Sequence, residues 1–130
     1  MRFKDKVVLI TGVAQGLGEA IAERFAKEGA NLILGDVNAE GAQKTAERIA
    51  SEYGIKAVGA KMNVCDEEEV KGVFDMVKKD FGKLDVLVSN AGILKAYELS
   101  EFPMNEWKLV MDVNLFGYAM VAKYACKIMQ

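Results

Sequence analysis

The sequence has no histidine, two cysteines and a single proline among its 130 residues. The absence of histidine excludes histidine-based catalytic triads and argues against a zinc site, because histidine is a common zinc ligand. Cys65 and Cys126 lie in different predicted elements, without the spacing of metal ligands. We therefore expect no metal site and interpret both cysteines as reduced packing residues of a cytoplasmic protein.

Long apolar runs and clusters of basic residues are also missing. No apolar stretch approaches the roughly 20 residues of a membrane-spanning helix, and the charged start, with Arg2, Lys4 and Asp5, is unlike a secretory signal. The formal net charge is -2, so we expect neither nucleic acid nor an anionic membrane as a partner. The length and the 52% of apolar residues predict one domain at most, with a sizeable core.

What the sequence contains is an alternation of apolar runs and amphipathic stretches, which predicts strands that alternate with helices. This order is typical of an α/β fold, a doubly wound parallel sheet with helices on both faces. The predicted elements are a strand at 7–10, a helix at 17–27, a strand at 31–35, a helix at 38–52, a strand at 57–62, a helix at 66–82, a strand at 85–89 and a helical region after Pro103.

Two of these helices carry capping signals at their starts. Asn38 is a predicted N-cap, and Asp66 with Glu69 fits a capping box. In the last helical region, a stripe at helical spacing is predicted to face the sheet and to bury the amide of Asn114, which should then have hydrogen-bond partners. The stripe consists of Val110, Val113, Asn114, Gly117, Val121, Tyr124 and Ile128.

A glycine-rich segment, Thr11–Gly18, follows the first strand and opens the first helix. In an α/β fold this order presents bare backbone N–H groups at a helix N-terminus to a pyrophosphate. A phosphate loop of the P-loop type would need a lysine after its last glycine, and Leu17 and Glu19 occupy the corresponding places. The segment therefore predicts dinucleotide binding, with a purely structural turn as the alternative.

Asp36 closes the second strand, about twenty residues after the glycines. An acidic residue at this place is expected to hydrogen-bond the ribose hydroxyls of a dinucleotide and to repel a 2′-phosphate. No lysine or arginine stands at Gln15, Val37 or Asn38. The sequence therefore predicts NAD rather than NADP, with an ordinary strand-end turn residue as the alternative.

Four segments resemble the short-chain dehydrogenase/reductase family in order and spacing, and together they span nearly the whole chain. They are Thr11–Gly18, Asn63–Val64, Ser89–Gly92 and Asp112–Gly117. The resemblance implies a Rossmann-type fold that binds NAD through Thr11, Gly12, Gln15, Gly16, Leu17, Gly18, Asp36, Asn63, Val64, Asn90, Ala91 and Gly92. Asn63 departs from the family pattern, which has Asp; an amide oxygen still accepts a bond from the adenine amine, but without charge.

The resemblance also implies chemical roles for two asparagines. Asn114 matches the catalytic asparagine, which holds a water that passes protons towards a lysine, although a satisfied core amide is the alternative. Asn90 is expected to tie the fourth strand to the first near Thr11. The reaction implied is hydride transfer between the cofactor and a carbinol or carbonyl carbon of a small alcohol or ketone.

The family's Tyr-x-x-x-Lys is absent, because Ala57, Glu101, Ala122 and Ile128 stand four residues after the four tyrosines. We therefore expect residues 1–130 to be the NAD-binding portion of a longer single-domain enzyme, truncated after the fourth strand and its following helix. Alone it should be inactive, and at full length the resemblance implies a homodimer or homotetramer. The alternative is a non-catalytic dinucleotide-binding module, such as a redox sensor.

The loop after the fourth strand offers a substrate hypothesis. Residues 91–96 and 114–118 resemble sorbitol-6-phosphate 2-dehydrogenases, which oxidise a sugar-alcohol phosphate, and other polyol and acetoin-type reductases have similar loops. Lys95 would then act as a point charge for a substrate phosphate. The alternative is a solvated loop lysine.

Overall fold

The computed structural model describes all residues from 1 to 130 and contains a four-stranded sheet in the order β3-β2-β1-β4, with every pairing parallel. The strands are β1 (Val7–Thr11), β2 (Asn31–Asp36), β3 (Ala57–Lys61) and β4 (Val86–Val88). The helices are α1 (Gly16–Lys27), α2 (Ala39–Tyr53), α3 (Glu67–Asp80), α4 (Met104–Met111) and α5 (Gly117–Met129). The predicted doubly wound α/β fold is confirmed.

The two faces of the sheet bury two separate apolar clusters. Val7 and Leu9 of β1 point to the face covered by α3 and α5, whereas Val8 and Ile10 point to the face covered by α1 and α2. Strands buried on both faces need apolar residues at every position, which explains the unbroken apolar run of β1. Each fully buried side chain of this size stabilises the fold by about 1.5–3 kcal/mol.

The N-termini of α2 and α3 confirm the predicted capping residues but not the whole of the capping box. Asn38 caps α2, because its side-chain oxygen accepts the Gly41 N–H at 2.9 Å. Asp66 likewise accepts the Glu69 N–H at 3.2 Å. The reciprocal half of the predicted capping box is wrong: the Asp66 N–H donates to the Asn63 carbonyl at 2.9 Å, so Glu69 instead accepts the Asn63 N–H at 3.1 Å.

The last helical region is not one straight α-helix. A π-helical turn at Asp112–Phe116 separates α4 from α5, and the Gly117 N–H donates to the Asp112 carbonyl five residues earlier. The buried residues of this region all lie in α5, namely Gly117, Val121 and Ala125. The predicted burial of Asn114 is wrong: its side chain is exposed, and the residue lies in the π turn, where the uniform helical period fails.

The fourth strand is shorter than predicted, Val86–Val88 instead of 85–89. The N–H groups of Asn90 and Ala91 bond to the side chain of Thr11 rather than to a neighbouring strand.

None of the helices combines the length and the apolar character that a bilayer span requires.

Candidate cofactor-binding site

The N-terminus of α1 differs from those of the other helices that follow a strand directly. Gln15 precedes the helix in an extended conformation and provides no side-chain hydrogen bond to it. Asn38 and Asp66 cap the corresponding ends of α2 and α3. The first backbone N–H groups of α1 therefore keep their donors and a partial positive charge, which together favour an anion.

Three glycines allow the backbone to come close at this end. Gly12 and Gly16 have φ values of 75° and 66°, a left-handed conformation that favours glycine. A Cβ on Gly18 would overlap the Gly12 carbonyl, so α1 packs directly on the turn. A Cβ on Gly16 would meet no atom within 4 Å, so the backbone there borders open space.

Asp36 holds the glycine turn to the end of β2. One of its carboxylate oxygens accepts the Ala14 N–H at 2.9 Å, and the other accepts the Asn38 N–H at 2.9 Å. Because a carboxylate oxygen accepts more than one hydrogen bond, Asp36 retains capacity for ribose hydroxyls. The strand register also sets Lys61 beside Asp36. The search for basic residues near Asp36 in the sequence missed this lysine because it lies on the neighbouring strand.

Thr11 and Asn90 join the ends of β1 and β4. The Thr11 hydroxyl oxygen accepts the N–H groups of Asn90 and Ala91, both at 3.0 Å. The Asn90 side-chain amide donates to the Gly12 carbonyl at 3.0 Å. The expected tie between these strands is confirmed, and Thr11, which is 2% exposed, supports the site from beneath.

Asn63 and Val64 follow β3. The Asn63 side-chain oxygen accepts the Cys65 N–H at 2.9 Å, so the residue forms a local turn. Val64 is buried beneath Gly117, where a Cβ would approach Val64 Cγ2 to 2.6 Å. Burial, followed by the charge of Asp112, raises the pKa of the Cys65 thiol, so this thiol stays protonated at neutral pH.

These strand ends enclose a cavity of about 440 Å³, which we call the cofactor cleft. Its lining residues are Gly12, Gln15, Gly16, Asp36, Val37, Met62, Asn63, Val64, Asn90, Ala91, Gly92, Ile93 and Val113. Of the predicted cofactor residues, Thr11 and Gly18 lie behind the lining, and Leu17 is 70% exposed on α1. Four lining residues were not predicted as cofactor contacts, namely Val37, Met62, Ile93 and Val113. Val37 and Met62 directly follow a strand, which is the signal that would have found them.

A second cavity of about 380 Å³ lies beyond Ile93, and we call it the loop cavity. Its lining residues are Ile93, Leu94, Lys95, Tyr97, Leu99, Phe102, Trp107, Val110, Met111 and Asn114. Asn114 accepts the Ile93 N–H at 3.0 Å and donates to the Ile93 carbonyl at 2.8 Å. The expectation that this amide has partners is therefore confirmed, and Ile93 lines both cavities.

The charged side chain that lines the loop cavity, Lys95, makes one long ion-pair contact. Lys95 Nζ lies 3.9 Å from Glu106 Oε1. The contact with Glu106 raises the pKa of Tyr97, so this phenol stays protonated near neutral pH. No three side chains of histidine, cysteine, aspartate or glutamate come together as a metal site would require.

The comparison with family models agrees with this geometry. A model described as short chain dehydrogenase matches residues 6–130. The chain belongs to the short-chain dehydrogenase family. The family binds NAD(P), and the uncapped α1, the open backbone at Gly16 and the carboxylate at the end of β2 suit such a cofactor.

Relatives within this family are longer than the chain. It is 43% identical over 129 residues to the oxidoreductase YuxG of Bacillus subtilis (strain 168), covering 98% of the chain and 19% of that protein. It is 41% identical over 118 residues to 5-keto-D-gluconate 5-reductase of Escherichia coli (strain K12), covering 91% of the chain and 46% of the reductase.

A solved family structure has the same fold. The crystal structure of a short-chain type dehydrogenase/reductase from Mycobacterium marinum superposes with a TM-score of 0.92 at 28% sequence identity. The match covers 97% of the chain and 51% of that structure. The chain therefore spans about half the length of this protein and of the reductase.

Proposed function

We propose that the chain is the NAD-binding portion of an oxidoreductase that exchanges a hydride between NAD and a secondary alcohol or ketone. One observation carries this proposal above all others. The uncapped start of α1 and the carboxylate of Asp36 face a single cleft at the carboxyl ends of parallel strands, where doubly wound sheets bind their ligands.

Each end of the cofactor cleft suits one part of NAD. The N–H groups around Gly16 would hold the pyrophosphate at the end of β1, and Asp36 would hold the adenosine ribose at the end of β2. The adenine half then extends towards Asn63 and Val64, and the nicotinamide half towards residues 90–92 after β4. When bound, NAD supplies the hydride acceptor, and the chain supplies position and orientation.

NAD is proposed rather than NADP because the Asp36 carboxylate opposes a 2′-phosphate. Lys61, the cation beside it in the sheet, has its Nζ 3.9 Å from Glu69 Oε2, so its charge is partly offset. Titration calorimetry of the chain should give a dissociation constant at least about tenfold lower for NAD, because one unfavourable charge contact is worth about 1.4 kcal/mol or more.

Asp36→Ala should reduce that preference, whereas Asp75→Ala, an exposed change on α3, should leave it unchanged. Equal affinity of the native chain for NAD and NADP would contradict the choice of cofactor. Binding of neither dinucleotide would contradict the proposed function as a whole.

Asn114 is proposed to take part in proton transfer within a longer enzyme. Its Oδ1 and Nδ2 bond to Ile93, and each retains capacity for one more hydrogen bond, as a relayed water requires. Because the chain lacks the Tyr-x-x-x-Lys, we expect it alone to produce no NADH from NAD and a polyol. NADH formation that copurifies with the chain would contradict this expectation.

The proposed substrate is a polyol or sugar-alcohol phosphate that enters the loop cavity. The Escherichia coli relative is named for a keto derivative of a sugar acid, and Lys95 lines the cavity with only a long contact to Glu106. In the full-length enzyme, Lys95→Ala should raise the KM for sorbitol 6-phosphate but not for NAD. Lys108→Ala, a lysine outside the cavity, is the control, and an unchanged KM in Lys95→Ala would contradict a phosphate contact.

We also propose a cytoplasmic homo-oligomer for the full-length enzyme. Both cysteines are free, in keeping with a reducing compartment. Large apolar side chains are exposed along α4, the π turn and α5, namely Trp107, Leu109, Leu115, Phe116 and Tyr118, and such surfaces commonly pack against another copy. Sedimentation equilibrium of the full-length enzyme should give a dimer or tetramer, and a monomer at micromolar concentration would contradict it.

A further inference from the structure

We infer that Asn63 presents an N–H donor to the purine of the bound dinucleotide, so that the base subsite accepts a 6-oxopurine about as well as adenine. The inference rests on the proposed NAD-binding function. It makes Asn63 the residue that sets which group at C6 of the purine, amino or carbonyl, the cofactor cleft accepts.

The place of the base follows from the order of the strands. The pyrophosphate site lies at the end of β1 and the ribose site at Asp36, at the end of β2. Since β3 is the next strand outward, the base attached to that ribose lies at the end of β3. There the cofactor cleft is lined by Met62, Asn63 and Val64, and Asn63 is the one with a polar side chain.

The orientation of the Asn63 amide is fixed by its own turn. The Cys65 backbone N–H lies 2.9 Å from Asn63 Oδ1. A backbone N–H only donates, so the amide oxygen, and not the nitrogen, must occupy that position. The Asn63 backbone N–H is also engaged, with Glu69 Oε1 at 3.1 Å, which holds the residue from its other side.

The consequence is that Nδ2 is the group of this side chain without a partner in the chain. Because Asn63 lines the cofactor cleft, these N–H donors are available to a base there, and Oδ1 keeps one further lone pair beside them. Purine bases differ at C6: adenine carries an amino donor there, whereas hypoxanthine carries a carbonyl acceptor, and both keep an acceptor at N7. An amide donor pairs with the carbonyl or with a ring nitrogen, but not with the amino hydrogens.

A carboxylate at the same place would behave in the opposite way. It accepts from the adenine amine and repels the 6-oxo group, so it discriminates between the two bases. A site that hydrogen-bonds a particular group of its ligand strongly rejects an analogue without that group. A site that selects by shape alone rejects such an analogue much less. Asn63→Asp is therefore an isosteric change that should restore preference for adenine.

The experiment is titration calorimetry of the 130-residue chain with NAD and with nicotinamide hypoxanthine dinucleotide. We expect the two dissociation constants to agree within about threefold for the native chain, and to differ by about tenfold or more in favour of NAD for Asn63→Asp. Asn105→Asp, which adds the same charge on α4 outside the cofactor cleft, is the control and should keep the native ratio.

A native chain that prefers NAD by tenfold or more would overturn the inference and leave the proposed function intact. Failure to bind either dinucleotide would overturn both. Because Asn63→Asp adds a carboxylate near Glu69 and risks misfolding, a second measurement uses the native chain alone. AMP and IMP should displace the native chain from immobilised NAD at concentrations within about threefold of each other. Displacement by AMP at a tenfold lower concentration than by IMP would overturn the inference.

Discussion

The cofactor cleft and the loop cavity share Ile93 but are built in different ways. The cleft is formed by the ends of paired strands, of which β1 and the interior of β2 are buried, and hydrogen bonds to Thr11 and Asp36 fix its loops. The loop cavity is formed by residues 93–114, and none of the residues of α4 is buried. The comparison indicates that the sheet fixes the cofactor cleft, whereas exposed loops, which vary more freely, shape the loop cavity that we propose as the substrate side.

The largest expected effect is in the cofactor cleft, on adding a methyl group at Gly18. Because a Cβ there would overlap the Gly12 carbonyl, Gly18→Ala should lower the free energy of unfolding by about 3 kcal/mol and abolish NAD binding. Gly72→Ala is the matched control: a Cβ at Gly72 meets no atom within 4 Å, so this change in α3 should stabilise by about 0.5–1 kcal/mol. Urea denaturation measures both, and native-like NAD affinity of Gly18→Ala would contradict the packing argument.

The next effect tests the tie between β1 and β4. Thr11→Val keeps the shape of the side chain but leaves the N–H groups of Asn90 and Ala91 without their acceptor, so it should cost about 2 kcal/mol and weaken NAD binding. Thr45→Val is the control, since the Thr45 hydroxyl makes only a 3.4 Å bond to the Val13 carbonyl. Equal urea midpoints for the two variants would show that the tie contributes nothing.

In the loop cavity, the corresponding change should be milder and local. Asn114→Leu removes both hydrogen bonds to Ile93, but because this amide is exposed, we expect a loss of about 1 kcal/mol or less. The Ile93 amide should then exchange its hydrogen about fivefold faster, while the urea midpoint of the chain stays close to native. A global loss as large as that of Thr11→Val would mean that the loop cavity is as rigidly held as the cofactor cleft.

The smallest effect concerns the opposite end of the sheet. Burial acts to raise the pKa of Asp85, but hydrogen bonds from the Val7 N–H and from Lys83 outweigh it, so the pKa is lowered. A lowered folded-state pKa contributes stability above the ordinary value, and this stability is lost as the pH falls below about 4. Native urea midpoints should therefore fall more steeply between about pH 5 and pH 3 than those of Asp85→Asn; parallel curves would contradict this linkage.

The same contrast explains what could be predicted from the sequence. The cofactor cleft is made by residues at the ends of strands, so local signals such as Gly12 and Asp36 predicted its position. The neighbour of Asp36 across the sheet, Lys61, required the register, which no local pattern gives. Glu69 likewise bonds to the Asn63 N–H because Asp66 has another partner, a competition that only the folded turn reveals.

The loop cavity was predicted less well for a different reason. The stripe through Asn114 assumed a uniform period of 3.6 residues. This assumption holds in α5, where Gly117 and Val121 are buried and the other two members of the stripe, Tyr124 and Ile128, pack partly buried against the same core. It fails where the turn widens at Asp112–Phe116. A π-helical turn has no strong sequence signal, so the periodicity of apolar residues could not predict that Asn114 is exposed.

The wide turn makes this part of the chain sensitive to its length. Deleting one residue from Asp112–Phe116 would restore a continuous α-helix, with α5 still packed against Val64. The preceding helix would then rotate by about 100° and shift by about 1.5 Å relative to α5, which turns Trp107 and Met111 away from the loop cavity. Single-residue insertions and deletions here, rather than substitutions, are therefore the changes that would remodel the loop cavity, and they would alter the cofactor cleft only where Val113 and Ile93 line it.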